Sequence, residues 1–143
     1  MTGPATVILG DYEGKASPVR SPAGITYLMV TLTPGQTWTY DAPAGQGVAW
    51  LAVSHGGLVG VNVVQRGEMA IFQGTGDIGL QASSDGARFV IASAIAHPFD
   101  LVTGYYSVRT NRAALAEGEA RIAELRTRLP AEQASGQPPV FRG

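Results

Sequence analysis

The chain contains no cysteine, and that single absence removes disulfides, thiolate metal sites and cysteine nucleophiles together. Histidine is almost as scarce. With only His55 and His97 in 143 residues, a three-histidine metal site within one chain is arithmetically impossible. Charge is thin as well: 10 basic and 11 acidic residues give a formal net charge of −1, so there is no electrostatic footprint for nucleic acid or an anionic membrane. The arginines between Arg109 and Arg128 come closest to one, but Glu117, Glu119 and Glu124 interleave with them, the pattern of a solvated helix face. No apolar run approaches the roughly eighteen residues that cross a bilayer. The opening MTGPATVILGDYEGK lacks the basic segment and long apolar core of a signal peptide. A soluble cytoplasmic protein is the expectation, with one core large enough to need no staples.

Glycine, by contrast, is plentiful, and it punctuates short apolar runs throughout the segment from Pro34 to Phe89. Strands spaced about every ten residues with turn chemistry between them indicate an antiparallel sandwich or barrel rather than βαβ units. Residues 1–24, dense in Gly and Pro after Thr6–Leu9, read as a lead-in arm with one short edge strand. Ile25–Leu32 is apolar on both alternating faces, which argues for a strand covered on both sides. Pro34 and Gly35 suit the centre of a type II turn, and a hairpin into Gln36–Tyr40 is expected. Further strands are expected at Val48–Val53, Leu58–Val64, Met69–Gln73, Ile78–Ala82 and Ala87–Ala96. The turns between them are Ser54–Gly57, Arg66–Glu68, Gly74–Asp77 and Ser83–Gly86.

A last strand is expected within Val102–Val108. Thr110 then reads as an N-cap, with a helix over Asn111–Leu129 that stops at Pro130. Leu115, Ile122, Leu125 and Leu129 fall on one face of that helix, and Glu117–Arg121 and Glu124–Arg128 are i,i+4 pairs of the favoured order. Gly118, near the apolar seam, is tolerable there if it allows close packing. The expected organisation is therefore an arm (1–24), a β-barrel (25–109), a C-terminal helix (110–130) and a flexible tail (131–143).

Motifs that carry chemistry are sparse. Gly74–Gly79 spells GxGxxG, but that pattern holds a dinucleotide only where it opens a helix, and LQASSDGARF follows, so turn glycines explain it better. A two-histidine, one-carboxylate metal site would require His55, in a turn, to meet His97, past a strand end, together with an acid such as Glu68. No GxSxG occurs, and Ser54 is merely the sequence neighbour of His55. Asp41, Glu68, Asp77 and Asp85 sit where turns recruit acids. No catalytic residue, metal ligand or cofactor is assigned. What remains is a set of pocket-lining candidates, Trp38, Tyr40, Gln46, Trp50 and His55, for a small-molecule ligand inside the barrel. Such aromatics are more often plain core.

Five stretches carry a family resemblance: VILGDYEGKASPV, ITYLMVTLTPG, APAGQG, GARFVIASA and DLVTGYYSVRTNRAALAEGEARI. Over about residues 6–126 the chain resembles the C-terminal half of the pirin family, which are bicupin proteins. The resemblance implies an all-β, antiparallel cupin-like (jelly-roll) barrel with one C-terminal helix on or near it. In pirins the metal site, and the quercetin dioxygenase activity of some members, belong to the other, N-terminal cupin. The usual cupin metal pattern is replaced here by Ala, Pro and Gly around Ala42–Gly45, by a residue near Ala49 in place of glutamate, and by Asp77 or Ile78 near the later histidine position. No functional residue carries over. A lone half of a bicupin leaves apolar surface uncovered, so a homodimer that imitates the bicupin is expected.

Overall fold

Turn chemistry is local, and it is where the structure follows the sequence most directly. In this computed structural model, which describes residues 3–60, 63–74, 76–105 and 107–134, the Gln36 amide donates to the Thr33 carbonyl at 3.0 Å and Gly35 sits at φ +72°. Pro presets the first central position and Gly accepts the positive φ of the second. At Gln65–Glu68 the Glu68 amide bonds the Gln65 carbonyl, Gly67 takes φ +86°, and the Glu68 carboxylate accepts from the Gln65 amide at 2.8 Å.

The strands are β1 (Ala5–Leu9), β2 (Asp11–Tyr12), β3 (Lys15–Ala16), β4 (Ile25–Leu32), β5 (Thr37–Tyr40), β6 (Val48–Val59), β7 (Val64–Gln65), β8 (Met69–Gln73), β9 (Ile78–Ala94), β10 (Val102–Thr103) and β11 (Val108–Arg109); the helix is α1 (Arg112–Ala134). Seven strands form one antiparallel sheet of order β1-β4-β9-β6-β7, with β5 added to β9 and β8 to β6. Among the described residues the fold is mostly β and antiparallel, with one helix.

Three expectations about connectivity are corrected. β4 and β5 do not form a hairpin: β4 pairs with Ala87–Ala94 of β9, whereas β5 pairs with Ile78–Gln81 of the same strand. The Pro34-Gly35 turn hands the chain from one half of β9 to the other. Nor do Ser54–Gly57 and Ser83–Gly86 reverse the chain. Both lie inside the long strands β6 and β9, where the register slips between Gly56↔Ala87 and Leu58↔Ala82. The glycines are there for close approach: a Cβ on Gly56, at φ +63°, would stand 2.0 Å from the Gly86 carbonyl oxygen. This is a bulged corner where two strands bend together. Ile25–Leu32 is also covered on one side only, since Thr26, Leu28, Val30 and Leu32 are buried while Met29 is 44% exposed.

The chain divides into two compact units, residues 1–96 and 97–143. In the first, the inward residues of β4, β9 and β6 stack in rows, Leu28–Ile91–Leu51 and Val30–Phe89–Val53, with Tyr40, Leu58 and Ala82 completing the core. In the second, β10 and β11 pair, the Gly104 amide donating to the Ser107 carbonyl at 2.7 Å, and α1 follows. The cap is Asn111 rather than Thr110: its Oδ1 accepts from the Ala114 amide at 2.8 Å, so the helix begins one residue later. The helix also passes through Pro130, which has no amide to donate to the Arg126 carbonyl four residues back. Arg121 bonds Glu124 instead of Glu117, and Glu124 keeps Arg128 at 3.8 Å. The Glu124 carboxyl is held below its usual range, first by the Arg121 hydrogen bond. Gly118 does permit close packing, since a Cβ there would stand 2.9 Å from the Arg109 guanidinium. The helix includes Ala131–Ala134 of the expected tail; the rest of that tail, with Val61, Asn62, Thr75 and Tyr106, lies outside the described residues.

Candidate functional site

The polar residues inside the barrel form one directional chain. Thr26 of β4 and Ser93 of β9 are register partners at the inner face, and each is the lone polar residue at an inward position of an apolar stretch. The Ser93 hydroxyl donates to Gln46 Oε1, so the short 2.7 Å bond to Tyr40 is donated by the Tyr40 phenol. The Gln46 amide then donates to Thr26 Oγ1 at 3.2 Å, and Thr26 donates to the Asp11 carbonyl at 3.2 Å. Each of the four side chains donates at least one hydrogen bond in this chain. Among the described residues no buried side-chain nitrogen or oxygen lacks a partner, which is what keeps a buried polar group from costing stability.

Aromatic packing closes the rest of the interior. Tyr12 stacks on Tyr40 with centroids 5.3 Å apart, Trp38 leans on Tyr40 at 5.8 Å and on Phe89 at 6.3 Å, and the Tyr12 phenol accepts from the Asp41 amide at 3.4 Å. Burial, the largest influence, raises the Tyr40 phenol above its ordinary pKa, against the pull of bonds with Ser93 and Thr26. Tyr12 is raised as well, again chiefly by burial. These rings pack on one another, and Tyr12 also borders an open depression of about 550 Å³ with Asp11, Glu13 and Asp41.

Of the five pocket candidates, the structure brings Trp38, Tyr40 and Gln46 together and leaves two elsewhere. Trp50 points to the outer face of the sheet, where its ring meets Tyr27 edge-on at 5.7 Å above Ala92, the residue paired with both. His55 is exposed and lines an open depression of about 580 Å³ with Ser54, Pro34, Asp85 and Arg88. His97 belongs to the second unit, where its Nδ1 lies 2.9 Å from the Phe99 carbonyl oxygen. Sequence reasoning missed Tyr12, Thr26 and Ser93. The available signal was a single polar residue in the inward phase of each apolar strand. The Gly74–Gly79 motif opens β9, with no helix after it.

The fit to a metal is poor. The interior polar groups are hydroxyls and an amide already matched to one another, with no imidazole, carboxylate or thiolate among them. Among the described residues no group of three or more His, Cys, Asp or Glu could hold a metal ion.

This architecture is that of a cupin-like barrel. Two crystal structures of quercetin 2,3-dioxygenase from Acinetobacter baumannii are similar to it, with TM-scores of 0.71 and 0.70 at 17% and 14% sequence identity. Each likeness covers 84% of this chain but only 42% and 40% of the dioxygenase, so the chain spans about two fifths of that protein's length. An RmlC-like cupin protein from Desulfovibrio desulfuricans is more distantly similar, with a TM-score of 0.41 and 18% identity over 52% of this chain and 76% of its own. At 17% and 14% identity the likeness to the dioxygenase shows the fold alone. No protein-family model matches the chain, and no curated protein sequence matches it. No helix among the described residues is long and apolar enough to cross a membrane.

Proposed function

We propose that this chain is a pirin-like cupin domain without a metal site, working in the cytoplasm as a binding or protein-interaction module and associating as a homodimer. One observation carries the reading: the barrel interior, where a cupin would hold its reactive centre, is occupied by packed rings and by the hydrogen-bonded Tyr40–Ser93–Gln46–Thr26 chain. A site whose donors and acceptors already satisfy one another offers a ligand nothing it lacks. Function then falls to surfaces. Elemental analysis of the purified chain tests this: stoichiometric iron, nickel or zinc would overturn it, and metal far below one equivalent is the expected result.

A second reading, a quercetin-dioxygenase-like or other small-molecule enzyme, is favoured by the depression that gathers Ser54, His55, Asp85 and Arg88 outside the core. It predicts flavonol turnover that survives chelation and disappears in His55→Ala. Absence of turnover in the unaltered chain removes this reading.

A further inference from the structure

The same strands that wall the interior turn an unusual second face outward. The register aligns three rows across β1, β4, β9, β6 and β8. The first row is Ile25–Ala94–Val48–Gln73, the next Leu9–Tyr27–Ala92–Trp50–Ile71, and the third Thr6–Met29–Val90–Ala52–Met69. Apart from Gln73 and Thr6 at the margins and the Tyr27 phenol, every side chain is apolar. Ile71 is 69% exposed and Met69 61%. Beyond the third row the character changes at once, to Thr31, Arg88 and His55, paired in register and all exposed.

We propose that this outer face seats a second copy of the chain, sheet against sheet, about a two-fold axis. The inference rests on the reading of the chain as a self-associating module and adds the surface that does it. Three observations select a copy of this chain as the occupant. The first is area. With strands about 4.8 Å apart and rows about 6.7 Å apart, the face covers about 450–500 Å² in projection. That is within the range of a monomer's largest apolar patch, the kind that is often functional, and two such faces reach about the 1,000 Å² at which a specific interface begins.

The second is shape. Tyr27 and Trp50 raise a ridge over Ala92, while the adjoining row carries the smaller Val90 and Ala52. A two-fold rotation places the ridge of each copy over the low row of the other, as an isologous contact requires. The third is charge. The three rows hold no carboxylate, ammonium or guanidinium, so nothing on the face selects an oppositely charged partner, while Arg88 and His55 form the polar rim expected around an apolar interface centre.

The experiment uses the full chain and follows its mass by light scattering across a dilution series. The unaltered chain is expected at twice its 14.9 kDa at high concentration, falling to one on dilution. Ile71→Lys, on the β8 margin, and Met29→Lys, on β4 toward the other side of the face, should each raise the dissociation constant by about a hundredfold or more, because each buries an unpaired charge in both copies. Both residues are exposed in the single chain, so circular dichroism should show it folded. A monomer at every concentration overturns the homodimer itself and leaves the face to some other partner. A dimer that survives both substitutions keeps the homodimer and overturns this face. Loss in Ile71→Lys alone assigns the contact to the β8 edge and also overturns a sheet-on-sheet arrangement.

Because the chain has no cysteine of its own, Ile71→Cys provides a second readout. Maleimide labelling there should slow as concentration rises, while Thr37→Cys on β5 keeps one rate; equal behaviour at the two positions overturns the proposal.

Discussion

The two faces of the seven-stranded sheet differ sharply in what covers them. Inward, the rows of β4, β9 and β6 are filled to the point that Leu28, Val30, Phe89 and Ile91 are wholly inaccessible, and among the described residues no buried side-chain polar atom at their end lacks a partner. Outward, the same strands carry largely apolar side chains but leave many of them, Met29, Val48, Met69 and Ile71 above all, in contact with water. Hydrophobicity therefore does not tell the faces apart. What distinguishes them is satisfaction: one face has all its partners within the chain, and the other lacks them.

The strongest way to break that comparison is to damage the inner face. Phe89→Ala should destabilise the fold by about 3–5 kcal/mol, from lost transfer energy plus a cavity that the rows of β4 and β6 cannot collapse around. Urea unfolding checks it; a loss below about 1 kcal/mol would mean that the interior is looser than its packing implies. The corner that lets β6 and β9 bend together is next. Gly56→Ala forces a left-handed φ on a residue with a Cβ and drives that carbon toward the Gly86 carbonyl, so a loss of about 2–4 kcal/mol in the same assay is expected.

The polar chain gives a smaller effect with a pH signature. Tyr40→Phe removes the donor to Ser93 and should cost about 1–2 kcal/mol at neutral pH. Burial raises the Tyr40 phenol above its unfolded value. The folded state thus keeps a proton that the unfolded chain releases above about pH 10. Stability from this group is complete below that pH and declines as pH climbs from the unfolded value through the folded one. The urea midpoint should fall between neutral and strongly alkaline pH, and Tyr40→Phe should flatten part of the fall while Tyr12, raised in the same direction, retains the remainder. An identical slope in both proteins would show that Tyr40 ionises alike in the two states.

How far the fold was legible follows the same line between local and distant causes. Pro34-Gly35 and the Arg66–Glu68 turn were readable because a turn is made by its own residues. The corner glycines read from sequence as turns, because composition alone does not distinguish a chain reversal from a bulge inside a long strand. Strand partners were less readable still: β4 and β5, joined by a short turn, each pair with a different half of β9. The candidate site divides in the same way. Alternation placed Trp38 and Tyr40 on one face correctly. It does not say which face of β6 is inward when Trp50 and Leu51 are both apolar. Gln46 was legible as a polar residue in a loop, yet its role depends on Ser93, 47 positions away.

The smallest expected change in stability bears most on the outer face. Ile71 is 69% exposed and packs little within its own chain, so under dilute conditions, where copies are apart, Ile71→Lys should alter unfolding stability by no more than about 0.5 kcal/mol. Its alanine-like neutrality there is the counterpart of its large effect on association. Should the dilute chain instead lose stability on the scale of Phe89→Ala, Ile71 would be serving the fold itself, and the contrast between a satisfied face and a waiting one would not hold. If stability is unchanged when dilute and diverges from the unaltered chain as concentration rises, the difference equals the linkage between folding and self-association. That measurement separates what the outer face contributes to the single chain from what it contributes to the pair.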